Sequence, residues 1–129
     1  RGSIVNVASI TGALVGMPGR APYAASKAGI VGLSRVLAIE WAGRGVRVNV
    51  VAPGPVRTPM VEQAIRDGIV DERAITARTP AARIAEPDDI ARAVALLVGD
   101  GAGFVTGQTL VVDGGFSTYG AAGPLHEVS

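Results

Sequence analysis

The chain has 129 residues, of which 48% are hydrophobic and 18% are charged, so one packed domain at most is expected and disorder is not. Its formal net charge is +1 and its basic residues are scattered, which argues against nucleic-acid binding through a basic stripe. No apolar run approaches the roughly 18 residues that a membrane span needs. Cysteine is absent, which excludes disulfides and thiolate metal sites and fits a reducing cytoplasm.

The first part of the chain predicts an alternation of strand and helix. The predicted elements are a buried strand at residues 3–8, a Gly- and Pro-rich loop at 9–22, a helix at 23–42 and a second buried strand at 46–52. Gly43 and Gly45 end the helix, and Pro53-Gly54-Pro55 closes the second strand. A strand, a helix and a strand in this order predict a right-handed parallel crossover.

The predicted helix at residues 23–42 is too apolar for a surface helix with one buried stripe. Only Lys27, Arg35 and Glu40 are charged in it, and small residues such as Gly29 keep part of it thin. We therefore expect a sheet on one side and another subunit's helix on the other, which makes the protein a homo-oligomer, either a dimer or a tetramer. A helix buried wholly within one domain is the alternative.

The second part predicts a lid-like excursion followed by another helix and strand. The elements are a mobile, partly helical stretch at residues 58–79, a helix opening at Pro87-Asp88-Asp89, a strand at 109–112, a turn at 113–115 secured by Asp113, and a loose tail at 117–129. Val61, Ile65 and Ile69 share one predicted helical face, which would suit a partly hydrophobic alcohol or ketone. The predicted core stripe of the later helix is Ile90, Val94, Leu97 and Val98.

Tyr23 and Lys27 stand four residues apart at the start of the long helix, so they project from the same face. A free tyrosine has a pKa of about 10 and is a poor base at neutral pH. A nearby ammonium group stabilises the phenolate, as a tyrosine that works as an acid–base catalyst requires. Lys27 is the only lysine of the chain. The spacing alone is more typical of a surface tyrosine beside a solvated lysine.

Ser9 and the segment from Pro53 to Thr58 follow the two predicted strands. The carboxyl ends of parallel strands form the ligand-binding edge of an α/β sheet. A hydroxyl group there can bond a substrate oxygen, although a serine that bonds its own turn fits the same position. The glycine and prolines of the second segment would let the backbone lie flat against a planar ligand, or would simply stop the strand.

Five blocks in this order resemble the short-chain dehydrogenase/reductase family in its ordinary short form. They are IVNVAS ending at Ser9, YAASKAGIVGLSR from Tyr23, VRVNVVAPGPVRTPM from Val46, RIAEPDDIA from Arg83, and VTGQTLVVDGG closing at Gly115. The resemblance implies an α/β fold, the second half of a Rossmann-like, doubly wound parallel sheet. Residues 1–116 would form the catalytic half of one domain, with a substrate lid at 58–80 and a flexible tail at 117–129.

The resemblance also implies an oxidoreductase that moves hydride between NAD or NADP and an alcohol or ketone. Its catalytic triad would be Ser9, Tyr23 and Lys27. Tyr23 would exchange a proton with the substrate oxygen, which Ser9 would orient, while Lys27 would favour ionisation of Tyr23 and bond the nicotinamide ribose. The cofactor-binding residues would be Tyr23, Lys27, Pro53, Gly54, Val56 and Thr58.

Some family features are absent from the sequence. These are the Gly-rich turn that receives the cofactor pyrophosphate, the N-N-A-G segment and the helix asparagine of the proton relay. A polypeptide that truly began at Arg1 would therefore bind cofactor poorly, lack activity and expose a sheet edge. The interval from Ser9 to Tyr23 is one residue longer than is usual in the family, near Leu14 and Val15. This residue would leave the geometry of the triad intact and change only the shape of the substrate pocket.

Two other functions fit parts of the pattern. A non-catalytic oligomerisation or binding module would share the fold, but degenerate catalytic residues are its usual sign, and Ser9, Tyr23 and Lys27 are intact. A sugar-nucleotide epimerase or dehydratase of the extended type shares the Y-x-x-x-K motif, but the PGPVRTPM segment and the compact VVDGG end argue against that type.

Overall fold

The computed structural model describes residues 1–121 as an alternation of strands and helices. The elements are β1 (Gly2–Val7), α1 (Ile10–Ala13), α2 (Ala21–Ala42), β2 (Val46–Pro53), α3 (Pro59–Arg66), α4 (Glu72–Arg78), α5 (Pro87–Val98), a 3₁₀ turn (Asp100–Ala102) and β3 (Thr109–Val112). Helix α2 begins two residues before its predicted start because Pro22 stands in its first turn, where a missing N–H is tolerated. The predicted loop before it contains the short, kinked α1.

The three strands form one parallel sheet in the order β1-β2-β3. Gly2 pairs with Val46 and Val7 with Val51, while Val50 pairs with Thr109 on the other side of β2. Strand β2 is central and has no exposed residue, whereas β1 and β3 are the edges of the described sheet. Because all three strands run in the same direction, their carboxyl ends lie at one edge of the sheet.

Adjacent residues of β2 point to opposite faces of the sheet, and each face is covered by a different helix. Val50 packs with Val31 of α2, and Ala8 joins the same cluster. Val51 instead packs with Ala93 and Leu97 of α5. Helices α2 and α5 therefore lie on opposite faces, and the prediction of a doubly wound parallel sheet is confirmed.

Helix α2 is buried along one stripe only. Its buried residues are Val31, Ser34 and Ala38, which face the sheet. Its outer face exposes large apolar side chains, and Ile39 is 80% exposed. Within residues 1–121 no other element covers this outer face, and both the subunit interface and burial within one domain stay predictions. No helix in this part of the chain has the length and hydropathy of a membrane span.

Each of the two predicted apolar stripes includes one residue that does not share its face, and both residues lie at or beyond the end of a helix. Helix α3 ends at Arg66, so Ile69 lies beyond the helix that carries Val61 and Ile65, and its side chain is 78% exposed. Val98 is the last residue of α5 and is 45% exposed. It directly follows Leu97 and is rotated by about 100° from it around the helix, so the two side chains point in different directions.

The carboxyl end of α5 is held by a side chain from the sheet. The Arg47 guanidinium donates hydrogen bonds to four carbonyls, those of Leu97 at 2.7 Å, Val98 at 3.4 Å, Gly99 at 3.3 Å and Val105 at 3.3 Å. A cation at a helix C-terminus satisfies carbonyls that have no partner in the helix and complements its dipole. Most of the predicted tail, residues 122–129 with His126, lies outside the described residues.

Candidate active site

The carboxyl edge of the sheet brings together the ends of β1 and β2 and the first turns of α2. The Ala8 N–H donates to the carbonyl of Val51 at 2.8 Å, so the parallel ladder continues one residue past β1 and stops at Ser9. Tyr23 and Lys27 lie in the first two turns of α2, and Lys27 reaches the end of β1. The three residues predicted as catalytic therefore share one edge of one sheet.

Ser9 is held at the strand end by its own turn. Its hydroxyl oxygen accepts the Thr11 N–H at 3.1 Å and caps α1. Within the described residues, no acceptor takes the hydroxyl proton of Ser9, and the side chain is only partly buried. A serine in this state can donate its proton to a further oxygen while its position is fixed by the turn.

The loop after Ser9 lies directly against the helix that carries Tyr23. Gly12 has a φ of 92°, and a Cβ at this position would collide with the carbonyl group of Ala24. Only glycine allows this backbone conformation and this close approach together. The contact fixes the strand-end loop to the first turn of α2, one residue after Tyr23.

Lys27 joins the tyrosine to the strand end. Its ammonium nitrogen lies 5.6 Å from the centroid of the Tyr23 ring and donates a hydrogen bond to the Val7 carbonyl at 3.3 Å. An ammonium has three donors, and within residues 1–121 the other two have no protein acceptor. The Tyr23 side chain is 43% exposed. The pair thus combines a fixed cation with a phenol that a ligand can reach.

The segment predicted to line the nicotinamide leaves β2 at the same edge. Pro53 is buried, and a Cβ on Gly54 would lie 2.7 Å from the Cβ of Asp113, so the segment packs closely on the turn after β3. Val56 forms a bridge with Ala85. The hydroxyl oxygen of Thr58 accepts the Val61 N–H at 3.2 Å and caps α3.

Asp113 secures the turn after β3, as predicted. Its carboxylate accepts the Gly115 N–H at 2.9 Å and the Ser117 N–H at 2.8 Å. Burial raises the pKa of Asp113, but the hydrogen bonds from Ser117 and Gly115 outweigh it and hold the pKa below its usual range. The Asp113 carboxylate therefore stays ionised, and the turn that it holds packs against Gly54.

Arg57 is a feature of the site that the sequence analysis missed. Its guanidinium forms ion pairs with Glu72, at the start of α4, and with Glu86, the N-cap of α5. The hydrogen bond with Glu72 raises the pKa of Arg57. These three residues are far apart in the sequence, so only the fold shows that they meet.

Residues 1–121 contain no group of three or more His, Asp and Glu side chains that could hold a metal ion. A cleft of about 960 Å³ lies at the amino ends of the strands, lined among others by Ser3, Val46 and Phe104. Because it is at the opposite end of the sheet from Ser9, it is not the candidate active site.

The chain is similar in sequence to known reductases and dehydrogenases. A family model described as enoyl-(acyl carrier protein) reductase matches residues 1–117. An uncharacterized short-chain type dehydrogenase/reductase of Sinorhizobium fredii is 53% identical over 125 residues, which are 97% of this chain and 23% of that protein. A 3-oxoacyl-[acyl-carrier-protein] reductase of Haemophilus influenzae is 48% identical over 116 residues, which are 88% of this chain and 46% of the relative.

Solved structures share the fold as well. A gluconate 5-dehydrogenase from Burkholderia cenocepacia, crystallised with NADP and tartrate, matches with a TM-score of 0.84 and 32% identity, over 92% of this chain and 46% of its own. The parallel sheet with helices on both faces is of the Rossmann-like α/β class. The chain belongs to the short-chain dehydrogenase/reductase family. It spans about half the length, or less, of the curated relatives described above.

Proposed function

We propose that the natural polypeptide containing this chain is an NAD(P)-dependent oxidoreductase that acts on an alcohol or a ketone. The observation that carries the proposal is the position of Lys27. Its ammonium group lies beside the Tyr23 ring and is anchored to the Val7 carbonyl, at the open carboxyl edge of the sheet. A structural lysine would be expected to pair with a carboxylate, and this one has a ring and a backbone carbonyl instead.

The donors at this edge fit a nicotinamide nucleotide. The two remaining donors of Lys27 suit ribose hydroxyls, and the hydroxyl proton of Thr58 suits a carboxamide oxygen. The residues that would hold the group are Tyr23, Lys27, Pro53, Gly54, Val56 and Thr58. When bound, the nicotinamide would accept or supply the hydride. The relatives in this comparison include a dehydrogenase crystallised with NADP, which supports NAD or NADP as the cofactor.

Three side chains would handle the substrate oxygen. Ser9 donates a hydrogen bond to that oxygen and orients it. In the direction of reduction Tyr23 gives its hydroxyl proton to the oxygen, and in the direction of oxidation the phenolate takes the proton back. Lys27 stabilises the phenolate through its positive charge. The residues 58–80 form a lid over the substrate on this edge of the sheet.

The exposed face of α2 supports a homo-oligomer, a dimer or a tetramer. Leu33, Val36 and Ile39 are all more than half exposed and recur at helical spacing. A contiguous apolar patch of this kind marks an interface. A second copy of α2 is the partner we propose for it.

Turnover by the natural polypeptide tests the proposal. The protein is mixed with NADH or NADPH and with carbonyl compounds suggested by the relatives, a 3-oxoacyl thioester and a keto sugar acid, and the absorbance of the reduced nicotinamide is followed. Lys27→Met should lower turnover by about 10²–10⁴-fold. Lys27→Arg should not restore it, because a guanidinium does not replace a compact ammonium here.

Arg92→Met is the matched control, since it removes an exposed cation from α5 on the opposite face of the sheet. Its turnover should stay within about twofold of the natural protein. Full activity in Lys27→Met would overturn the assignment.

A further inference from the structure

We propose that Arg57 is a positioning residue that holds α4 as a stationary wall of the substrate cleft, so that only residues 59–70 move when substrate enters. This inference rests on the proposed function, in which residues 58–80 are a substrate lid. The lid has two parts. Helix α4 is bonded to other elements at both of its ends, and α3 is not.

The start of α4 is tied through Arg57. This side chain leaves the segment after β2 and pairs with Glu72, the first residue of α4, and with Glu86 before α5. The backbone beneath it is also fixed, because the Arg57 N–H donates to the Ala85 carbonyl at 2.7 Å and the Ala85 N–H donates to the Pro55 carbonyl at 3.1 Å. One guanidinium therefore joins three elements at the base of the lid.

The end of α4 is tied through Arg78 and Thr79. The Arg78 guanidinium lies over the rings of Phe116, at 5.4 Å, and Tyr119, at 5.2 Å, and donates to the Tyr119 carbonyl at 2.9 Å. Thr79 is buried beside Gly114. Cation–π contacts and a charged hydrogen bond together fix this end to the turn after β3.

Helix α3 lacks comparable ties. In the described chain its side-chain hydrogen bonds stay within the helix and its cap, namely Gln63 with Asp67, Arg66 with Gln63, and the Thr58 cap. Neither α3 nor α4 has a buried residue, so the two helices differ in these ties and not in burial. Two residues after the end of α3, Gly68 has a φ of 71° and turns the chain sharply before α4. Because no side chain of α3 is bonded to another element in the described chain, α3 is the part free to move.

This division has a consequence for catalysis. If Arg57 is lost, substrate must order α4 as well as α3 when it binds, which weakens binding. The chemistry at Ser9, Tyr23 and Lys27 lies outside the lid and is not changed. We therefore expect KM to rise by about tenfold in Arg57→Met, while kcat stays within about threefold.

Hydrogen exchange followed by mass spectrometry, in the natural polypeptide without substrate, tests the mechanism directly. In the unmodified protein the amides of α3 should exchange faster than those of α4. In Arg57→Met the exchange of α4 should accelerate about tenfold, toward that of α3. Glu72→Gln, which breaks the same pair from the lid side, should have the same direction of effect. Arg57→Lys should be intermediate, because an ammonium cannot bond two carboxylates in the same fork geometry.

Arg73→Met is the control, because it removes a neighbouring, exposed cation of α4 whose side chain has no partner within residues 1–121. It should leave the exchange of both helices unchanged. The inference is wrong if α4 exchanges as fast as α3 in the unmodified protein, or if Arg57→Met leaves α4 unchanged. Failure of the proposed function is a separate result, since absence of turnover would not alter the exchange pattern.

Discussion

Single backbone positions decide how closely the parts of the candidate active site approach one another. At Gly12 a positive φ and the carbonyl of Ala24 together exclude any side chain. At Gly54 a side chain would meet Asp113, which holds the turn after β3. Each glycine allows the segment after a strand to pack closely against a neighbouring element. The relation of Ser9 to α2 therefore depends on residues that carry no chemistry themselves.

Ala82 stands where glycine would cost less, since its φ is 55° and it is the only non-glycine residue with a positive φ among residues 1–121. A left-handed conformation costs an L-residue roughly 1–2 kcal/mol. We expect Ala82→Gly to raise the free energy of unfolding by about 0.5–1 kcal/mol, after the greater chain entropy of glycine is subtracted. Thermal denaturation measures the change. Ala81→Gly, next to it and without a positive φ, should show no gain, and equal effects at the two positions would contradict the explanation.

The spacing of Tyr23 and Lys27 could be predicted from the sequence because helix geometry is local. Four residues on a helix share a face whatever the rest of the fold does. The ion pairs of Arg57 and the rings around Arg78 could not be predicted, because they depend on how α3 and α4 fold back onto the sheet. No local pattern in the sequence carries that information.

Among the elements, the strands and the end of α2 at Ala42 were predicted closely, and the burial of residues near helix ends less so. Strand β3 has its predicted bounds, because a short β-branched run between turns leaves little freedom. The errors at Ile69 and Val98 share one cause. An apolar period predicts a buried face only while the helix continues, and Ile69 lies beyond the end of α3 while Val98 is the last residue of α5.

The amino end of α5 provides a pH-sensitive contact. Asp89 accepts hydrogen bonds from Arg83 at 2.6 and 3.1 Å and from the Glu86 N–H at 2.8 Å. The hydrogen bond from Arg83 and that from Glu86 lower the pKa of Asp89 from 3.8 to about 2. Because the folded-state pKa is lowered, the carboxylate stabilises the fold above pH 3.8, and this contribution is lost as the pH falls toward about 2.

We expect Asp89→Asn to destabilise the protein at neutral pH and to differ progressively less from the natural protein as the pH falls from 3.8 toward about 2. Urea denaturation at a series of pH values checks this. Asp88→Asn is the control, since Asp88 is exposed in the same turn and lacks the pair with Arg83. A difference between Asp89→Asn and the natural protein that is constant over this range would contradict the assignment.

For the molecule as a whole, the order of motifs predicted the family and the doubly wound sheet. Which surfaces stay exposed depends on tertiary packing, and local sequence patterns do not show it. The described sheet exposes β1 at one edge, and α2 exposes an apolar face. The apolarity of α2 was legible in the sequence. Which side of the helix would stay uncovered followed only from the packing of Val31, Ser34 and Ala38 against the sheet.

Ile39→Glu tests the proposed interface, because it places a charge at the most exposed apolar position of α2. A buried, unpaired carboxylate would break a helix–helix contact. Sedimentation velocity should show the natural polypeptide as a dimer or a tetramer and the variant as a smaller species. Gln63→Glu adds the same charge on the exposed face of α3 and should not change the mass. A monomeric natural protein, or an oligomer unaffected by Ile39→Glu, would contradict the proposal.

We propose that Tyr23 transfers the proton of an NAD(P)-dependent reaction, and removal of its hydroxyl group is the sharpest test of this role. The measurement is the turnover of Tyr23→Phe in the natural polypeptide, with binding of reduced nicotinamide followed by fluorescence in the same variant. We expect turnover to fall by about 10²–10⁴-fold. Nicotinamide binding should persist, because the ring and Lys27 remain. Turnover within about twofold of the natural protein would contradict this role of Tyr23.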